Sequence, residues 1–186
     1  MVEIESMEKE KKQQEQIQDQ QIRQENFLPL LPLKNIAILP KSIIPIIVGR
    51  QLSIKAVEYA LKHNRTLFIS AQKDPKTENP TKKDVFIYGT RSIILQVMRM
   101  PNGALKILAE GMCRAKAQSF ENNDGFIGVT YKDLPTTNLK RTVEIEAIWR
   151  ELSSLYQSYA KLNDKAPSDL INVVKTTEDM DYITDT

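Results

Sequence analysis

The single histidine His63 and the single cysteine Cys113 are the first candidates for nucleophilic or acid–base chemistry in this 186-residue chain. A Ser-His-Asp or Cys-His arrangement must use that histidine. His63 falls at the end of a helical pattern, where the helix dipole favours a positive imidazole, and no nucleophile motif lies near it. Arg114 beside Cys113 favours a thiolate, but the surrounding strand pattern favours an inert, packed thiol. We therefore expect structural roles for both residues and no catalytic residue.

Sites for a cofactor or a metal ion are not indicated either. The glycines are scattered at turn positions, and no G-x-x-x-x-G-K-[ST] or G-x-G-x-x-G run opens a helix to cradle phosphate. One cysteine and one histidine would leave a zinc ion mostly carboxylate ligands, which is unusual. The carboxylates of Glu144, Glu146 and Glu151 lie on the polar side of a predicted helix, where solvation is the default. We predict no cofactor and no metal in this chain.

A group of basic residues is the remaining candidate for chemistry. Its members are Lys82, Lys83, Arg91, Arg99, Lys106, Arg114 and Lys116. Arg91 and Arg99 are evenly spaced, which predicts a common strand face. However, aromatic residues, which usually accompany such charges in nucleic-acid proteins, are only 6% of the chain, and the net charge is only +2. We favour a solvated sheet face and keep nucleic-acid binding through Arg91, Arg99 and Lys106 as the alternative.

The elements that must position these residues begin after a leader. Residues 1–26 are rich in glutamine and charge and predict a flexible extension. Residues 27–135 predict a β domain. Prolines punctuate its apolar first stretch, 28–50, which indicates short edge or bent strands and no central ladder. A helix is predicted over Gln51 to His63, ending at a left-handed Asn64, and a buried strand over 66–71.

The second part of the β domain shows strand patterns at 89–98, 104–110, 113–120 and 126–131. Ile93, Leu95 and Val97 alternate and are predicted to share one face. Asn102-Gly103 predicts a tight hairpin with a primed turn, Gly111 a break or bulge, and 122–125 a further turn. Several antiparallel strands with one interposed helix predict an α+β fold built on a small, half-closed barrel.

Residues 136–186 predict a helical subdomain that is cut off at the end of the chain. Apolar residues follow a 3-4-3-4-3 spacing from Ile145 to Leu162, which is typical of one long helix packed on the sheet or on later helices. A short helix is predicted over Asp169 to Lys175, and a further segment begins near Asp179. No apolar run reaches the roughly 18 residues of a membrane span, and the acidic N-terminus fits neither a secretory nor a mitochondrial signal. We expect a cytoplasmic protein without a membrane partner.

The run LPLLPLKNIAILPKSIIPIIVGRQLSIKAVEYAL closely resembles the start of the Lon protease family. The segments LFISAQKD, VFIYGTRSIILQ, MPNGALKILAEGMCRAK and LNDKAPSDL follow in the family's order. The resemblance covers most of residues 28–186 and departs from the family in the leader and around residues 122–131. It implies a PUA-like antiparallel β-pseudo-barrel followed by the first helices of the family's N-terminal region.

The resemblance also implies a function without catalysis. In the Lon family this region selects unfolded or tagged protein substrates and helps homo-hexamers to assemble for protein quality control. The ATP and Mg²⁺ sites and the serine-lysine peptidase lie further along the full-length ATP-dependent serine protease, so none of their residues can be assigned here. The alternatives are the nucleic-acid module above and a stand-alone receptor domain of another degradation system. Because methionine adapts to varied partners, we predict substrate contacts at Met98, Met100, Pro101 and Met112.

Overall fold

The structure, a computed structural model, describes residues 26–135 and 142–163. The chain divides into two compact units, residues 1–135 and 136–186. The predictions for the leader up to residue 25, for the helix from Asp169 to Lys175 and for the segment after Asp179 lie outside the described residues.

The described part of the first unit, residues 26–135, contains six strands and one helix. In chain order they are β1 (Phe27–Leu33), β2 (Ile43–Val48), α1 (Gln51–Lys62), β3 (Thr66–Ala71), β4 (Tyr88–Arg99), β5 (Leu105–Asn123) and β6 (Phe126–Leu134). The described part of the second unit is the helix α2 (Val143–Leu162). The predicted α+β class is confirmed, and so are the single helix between the strands and the long helix after them.

The strands of the first unit close on themselves. Their order is β2-β5-β4-β3-β1-β6, and β5 pairs with β6 as well, so that β2 remains as an edge strand beside the ring. The ring pairs are antiparallel except β1 with β3, which is parallel. The expectation of purely antiparallel strands is therefore wrong for this one pair.

Strand β1 lies between β3 and β6, whereas β2 is an edge strand. The prediction of short edge or bent strands and no central ladder over 28–50 therefore holds for β2 and is wrong for β1. The pairing of β1 is staggered: residues 27–29 pair with β6 and residues 30–33 with β3. Each of Pro29 and Pro32 therefore pairs with a strand on one side only, which is possible for a residue without a backbone N–H. β1 and β3 separate two apolar clusters, which explains why both strands are buried on both faces.

The β4–β5 hairpin forms where the sequence predicts it, but with a different turn. Gly103 has a φ of +82°, whereas Asn102 is not among the positive-φ residues. The amide of Gly103 donates to Met100 O at 3.0 Å, and that of Met100 to Ala104 O at 2.8 Å. Pro101 fixes φ near −65° at the first central position, which a primed turn cannot accept. A three-residue loop ending in a left-handed glycine results.

Two irregularities decide which side chains face outward. Leu95 is an extra residue in β4, and Met112 is an extra residue in β5. The predicted strands at 104–110 and 113–120 are therefore one bent strand, with the bulge beside Gly111 as expected. Ile94 follows Thr90 and Ser92 on the buried face, at 1% exposure. The extra Leu95 then reverses the faces of the residues after it, so the prediction that Ile93, Leu95 and Val97 share a face is wrong.

The first helix differs from prediction at its end. α1 packs Ile54, Val57 and Ala60 into the core, but Arg65, at φ 59°, takes the left-handed position instead of Asn64. In α2, Thr142 caps the N-terminus by accepting from the amide of Ile145 at 3.3 Å. No residue of α2 is buried within the described part of the chain, and the packing of its apolar stripe on the sheet or on later helices stays a prediction.

Candidate functional site

A row of three paired residues, two exposed apolar side chains with a lysine between them, crosses β2, β5 and β4. Ile47 pairs with Lys106, and Lys106 pairs with Met98. The exposed fraction is 67% for Ile47 and 64% for Met98. The row belongs to a larger surface, here called the outer face, which consists of Ile43, Pro45, Ile47, Gln96, Met98, Lys106 and Leu108. At the Ile43 end, Ile93 and the half-buried Glu110 lie on the same face. Contiguous exposed apolar side chains usually mark an interaction site.

The composition of β2 creates this exposure. The strand has the sequence IIPIIV, in which Ile46 and Val48 are buried while Ile43, Pro45 and Ile47 are exposed. A strand with one solvated face normally carries polar residues there, but β2 has none. Sequence reasoning missed these three residues, although an edge strand without polar residues is a signal that could have identified them.

A groove of about 580 Å³ lies in the outer face. Its lining residues are Pro45, Arg65, Gln96, Val97, Met98, Lys106, Ile107 and Leu108. β3 pairs with β4 only as far as Ile93. Beyond that point, backbone carbonyl groups of β4 accept hydrogen bonds from the Arg65 side chain. Its Nε donates to Ile94 O and its Nη2 to Leu95 O, both at 3.0 Å. The guanidinium is thereby fixed at one wall of the groove.

The four predicted contact residues do not form one surface. Met98 lies in the groove, whereas Pro101 is exposed and Met100 half-buried in the hairpin loop. Met112 is 46% exposed, but it lies six residues along β5 from the Met98 partner Lys106, a separation of about 20 Å at strand spacing. The groove therefore includes one of the four predicted residues and adds neighbours from β2 and β5.

The three cations of the nucleic-acid alternative are not brought together either. Arg91 makes a bidentate pair with Asp133, with Nη2 to Oδ2 at 2.9 Å, and this hydrogen bonding raises the pKa of Arg91 against the opposing effect of burial. Arg99 pairs with Glu58 at 3.0 Å. The extra residue Leu95 separates Arg91 from Arg99 and cancels their even spacing. Neither arginine is free for phosphate, which leaves this alternative without structural support.

His63 and Cys113 both make local structural contacts. The His63 ring stacks on Tyr59 at 4.0 Å, and its Nδ1 lies 2.8 Å from Tyr59 O. The Cys113 thiol donates to Arg114 O at 3.2 Å. Burial, followed by the charge of Asp133, raises the pKa of Cys113 and outweighs the lowering by nearby arginines. The lowering of the pKa that a neighbouring Arg114 favours is therefore outweighed by burial.

Among the described residues, no group of three or more histidine, cysteine or carboxylate side chains is placed to hold a metal ion. In the same part of the chain, no helix is both long and apolar enough to cross a membrane.

Two smaller grooves in the described part of the first unit have large apolar side chains that are less exposed. One, of about 440 Å³, is lined by Leu52, Phe120 and Ile127 with Lys82 and Lys83 at its rim. In this groove the large apolar side chains are buried or half-buried. The other, of about 350 Å³, lies between α1 and the β5–β6 turn, and its aromatic residues are likewise not exposed. The groove in the outer face is therefore the strongest candidate.

Residues 27–186 match the family model described as the ATP-dependent protease La (LON) substrate-binding domain. The Lon protease of Endomicrobium trichonymphae is 41% identical over 162 residues, which is 87% of this chain and 20% of that protein. The Lon protease of Buchnera aphidicola from Acyrthosiphon pisum is 35% identical over 159 residues, 86% of this chain and 20% of that protein. The chain thus spans about a fifth of the length of these relatives.

Solved structures support the fold. The N-terminal domain of Mycobacterium avium complex Lon protease has a TM-score of 0.67 at 20% identity and covers 86% of this chain and 80% of that one. The Lon N-terminal domain protein from Xanthomonas campestris has a TM-score of 0.52 at 18% identity, over 69% of this chain and 72% of that one.

Proposed function

This chain belongs to the Lon substrate-binding domain family, as its sequence predicts, and we propose that it holds unfolded or tagged polypeptide segments on its outer face. The observation that carries the proposal is the row of Ile47, Lys106 and Met98 beside the groove. An unfolded segment exposes apolar side chains that a folded protein buries. Their burial against Ile47 and Met98 provides a driving force that does not depend on a particular sequence.

The wider role follows from the relatives, of which this chain matches about a fifth. We propose that substrates held here are passed to the ATP-dependent serine protease activity of the whole protein, for protein quality control. ATP and Mg²⁺ would serve the rest of that protein and not this substrate-binding region. Assistance in assembling a homo-hexamer and a cytoplasmic location are further parts of the proposal.

The proposal is tested by binding of a fluorescently labelled, permanently unfolded protein, followed by anisotropy. The double variant Ile47→Ser, Met98→Ser removes two exposed apolar side chains, each of which contributes about 1 kcal/mol when covered. We expect the dissociation constant to rise by about 10- to 30-fold. The melting temperature should change little, because neither side chain is in the core.

Met112→Ser provides the matched control, since Met112 is also exposed but lies outside the groove. We expect it to alter binding by less than about twofold. Unchanged binding by the double variant, or an equal loss in Met112→Ser, would reject the outer face as the substrate site.

A further inference from the structure

The groove in the outer face has an unbalanced charge. Two of its lining side chains are cationic, Arg65 and Lys106, and none is a carboxylate. Its other polar residue is Gln96, and the rest of the lining is apolar. An occupant of purely apolar character would leave both positive charges without a counter-charge.

Neither cation has an ion-pair partner among residues 26–135 and 142–163, whereas other arginines of the first unit do. Asp133 is engaged by Arg91, and Glu58 by Arg99. The Arg65 guanidinium is bound to two carbonyl oxygens, which fix its position but do not neutralise its charge. The groove therefore presents a positive potential that is available to a ligand.

The geometry adds a constraint on spacing. Lys106 is flanked across the strands by Ile47 and Met98 at the distance of about 5 Å that separates paired residues in a sheet. Leu108 follows Lys106 on the same face, about 6.5 Å along β5. An extended chain repeats its side chains on one face at that same interval. In an extended bound segment, a carboxylate at one position would therefore contact Lys106 while apolar side chains two residues away contact the apolar neighbours of Lys106.

From this complementarity we infer that the groove selects extended apolar segments that carry an internal aspartate or glutamate, and that it discriminates against segments with lysine or arginine at that position. The inference rests on the proposed function and adds to it the class of segment that binds. Because the groove is open to solvent, the expected preference is modest and sensitive to salt.

The test uses the full chain and three labelled twelve-residue peptides that share the same apolar residues and an amidated C-terminus. They differ only in having Glu, Gln or Lys at a central position. At about 50 mM salt we expect affinity to fall about threefold from Glu to Gln and again from Gln to Lys, and the differences to shrink at about 500 mM. Lys106→Glu should invert the order.

Lys82→Glu is the matched control, because Lys82 is exposed, changes the net charge equally and lines a different groove. Equal binding of the three peptides overturns the inference and leaves the proposed function standing. No binding of any peptide to the folded chain rejects both. The same inversion of the order in Lys82→Glu also overturns the inference.

Discussion

Burial and, after it, the Asp133 carboxylate raise the pKa of the single cysteine. The Asp133 carboxylate binds Arg91 through two hydrogen bonds from Nε and Nη2, and this pair lies close to the Cys113 thiol. In the sequence, Cys113 has an arginine as its neighbour, and that neighbour alone suggests a lowered pKa. Burial outweighs that effect, and Asp133 adds to the burial from a position fixed by pairing with Arg91, 42 residues away. Both causes depend on strand register, which local sequence does not reveal.

We expect Cys113 to react slowly with iodoacetamide. Alkylation requires the thiolate, and burial raises the pKa of Cys113 above its ordinary value of 9.0. The protonated Cys113 thiol contributes to the stability of the fold. This contribution is complete below the ordinary pKa of the thiol and is lost as pH rises through the raised pKa. Alkylation rates measured by mass spectrometry over pH 7 to 10 should reach half their maximum at a higher pH in the native chain than in the chain in urea. A native rate at pH 8 equal to the denatured rate would contradict this expectation.

At the scale of the elements, the sequence predicts the regular helices and strands but not the bulges that interrupt the strands. The helix α1, the hairpin position and the buried strand β3 follow from periodicity and turn residues. The extra residue Leu95 leaves no mark in the alternation of β4, and it reverses the faces of the residues that follow. Met98 is consequently placed beside Lys106, while Arg91 and Arg99 are separated.

The bend of β5 requires a glycine, and this can be tested. A Cβ atom on Gly111 would lie 2.2 Å from Leu39 O, and the Gly111 carbonyl and amide bond the segment before β2. Gly111→Ala should therefore reduce the free energy of unfolding by about 2–4 kcal/mol. Gly49→Ala is the control, because nothing lies within 4 Å of its Cβ position and its φ is not positive. Urea denaturation that shows equal stability for both variants would contradict the close approach.

At the scale of the whole molecule, the buried apolar residues indicate which part of the chain can fold alone. All those of the described residues lie between Leu28 and Val129, and the ring that encloses them is closed by the pairing of β5 with β6. The family resemblance and the composition break near Phe27 predict where this core begins. The ring closes because β5 is long enough to pair with three other strands. This length is not evident in the sequence, because bulges interrupt the alternation of β5.

A chain ending at Pro135 should therefore retain both the fold and substrate binding. The outer face is formed entirely by β2, β4 and β5, and no residue of α2 contributes to a buried core. We expect the melting temperature to lie within about 3 °C of the full chain, since a larger shift requires the loss of about 1 kcal/mol or more. The dissociation constant for the unfolded reporter protein should change by less than about twofold. The Ile47→Ser, Met98→Ser double variant of the shortened chain should lose binding as it does in the full chain. A shortened chain that melts without cooperativity would show that residues after Pro135 are needed for folding, and one that folds but binds nothing would move the substrate site out of the outer face.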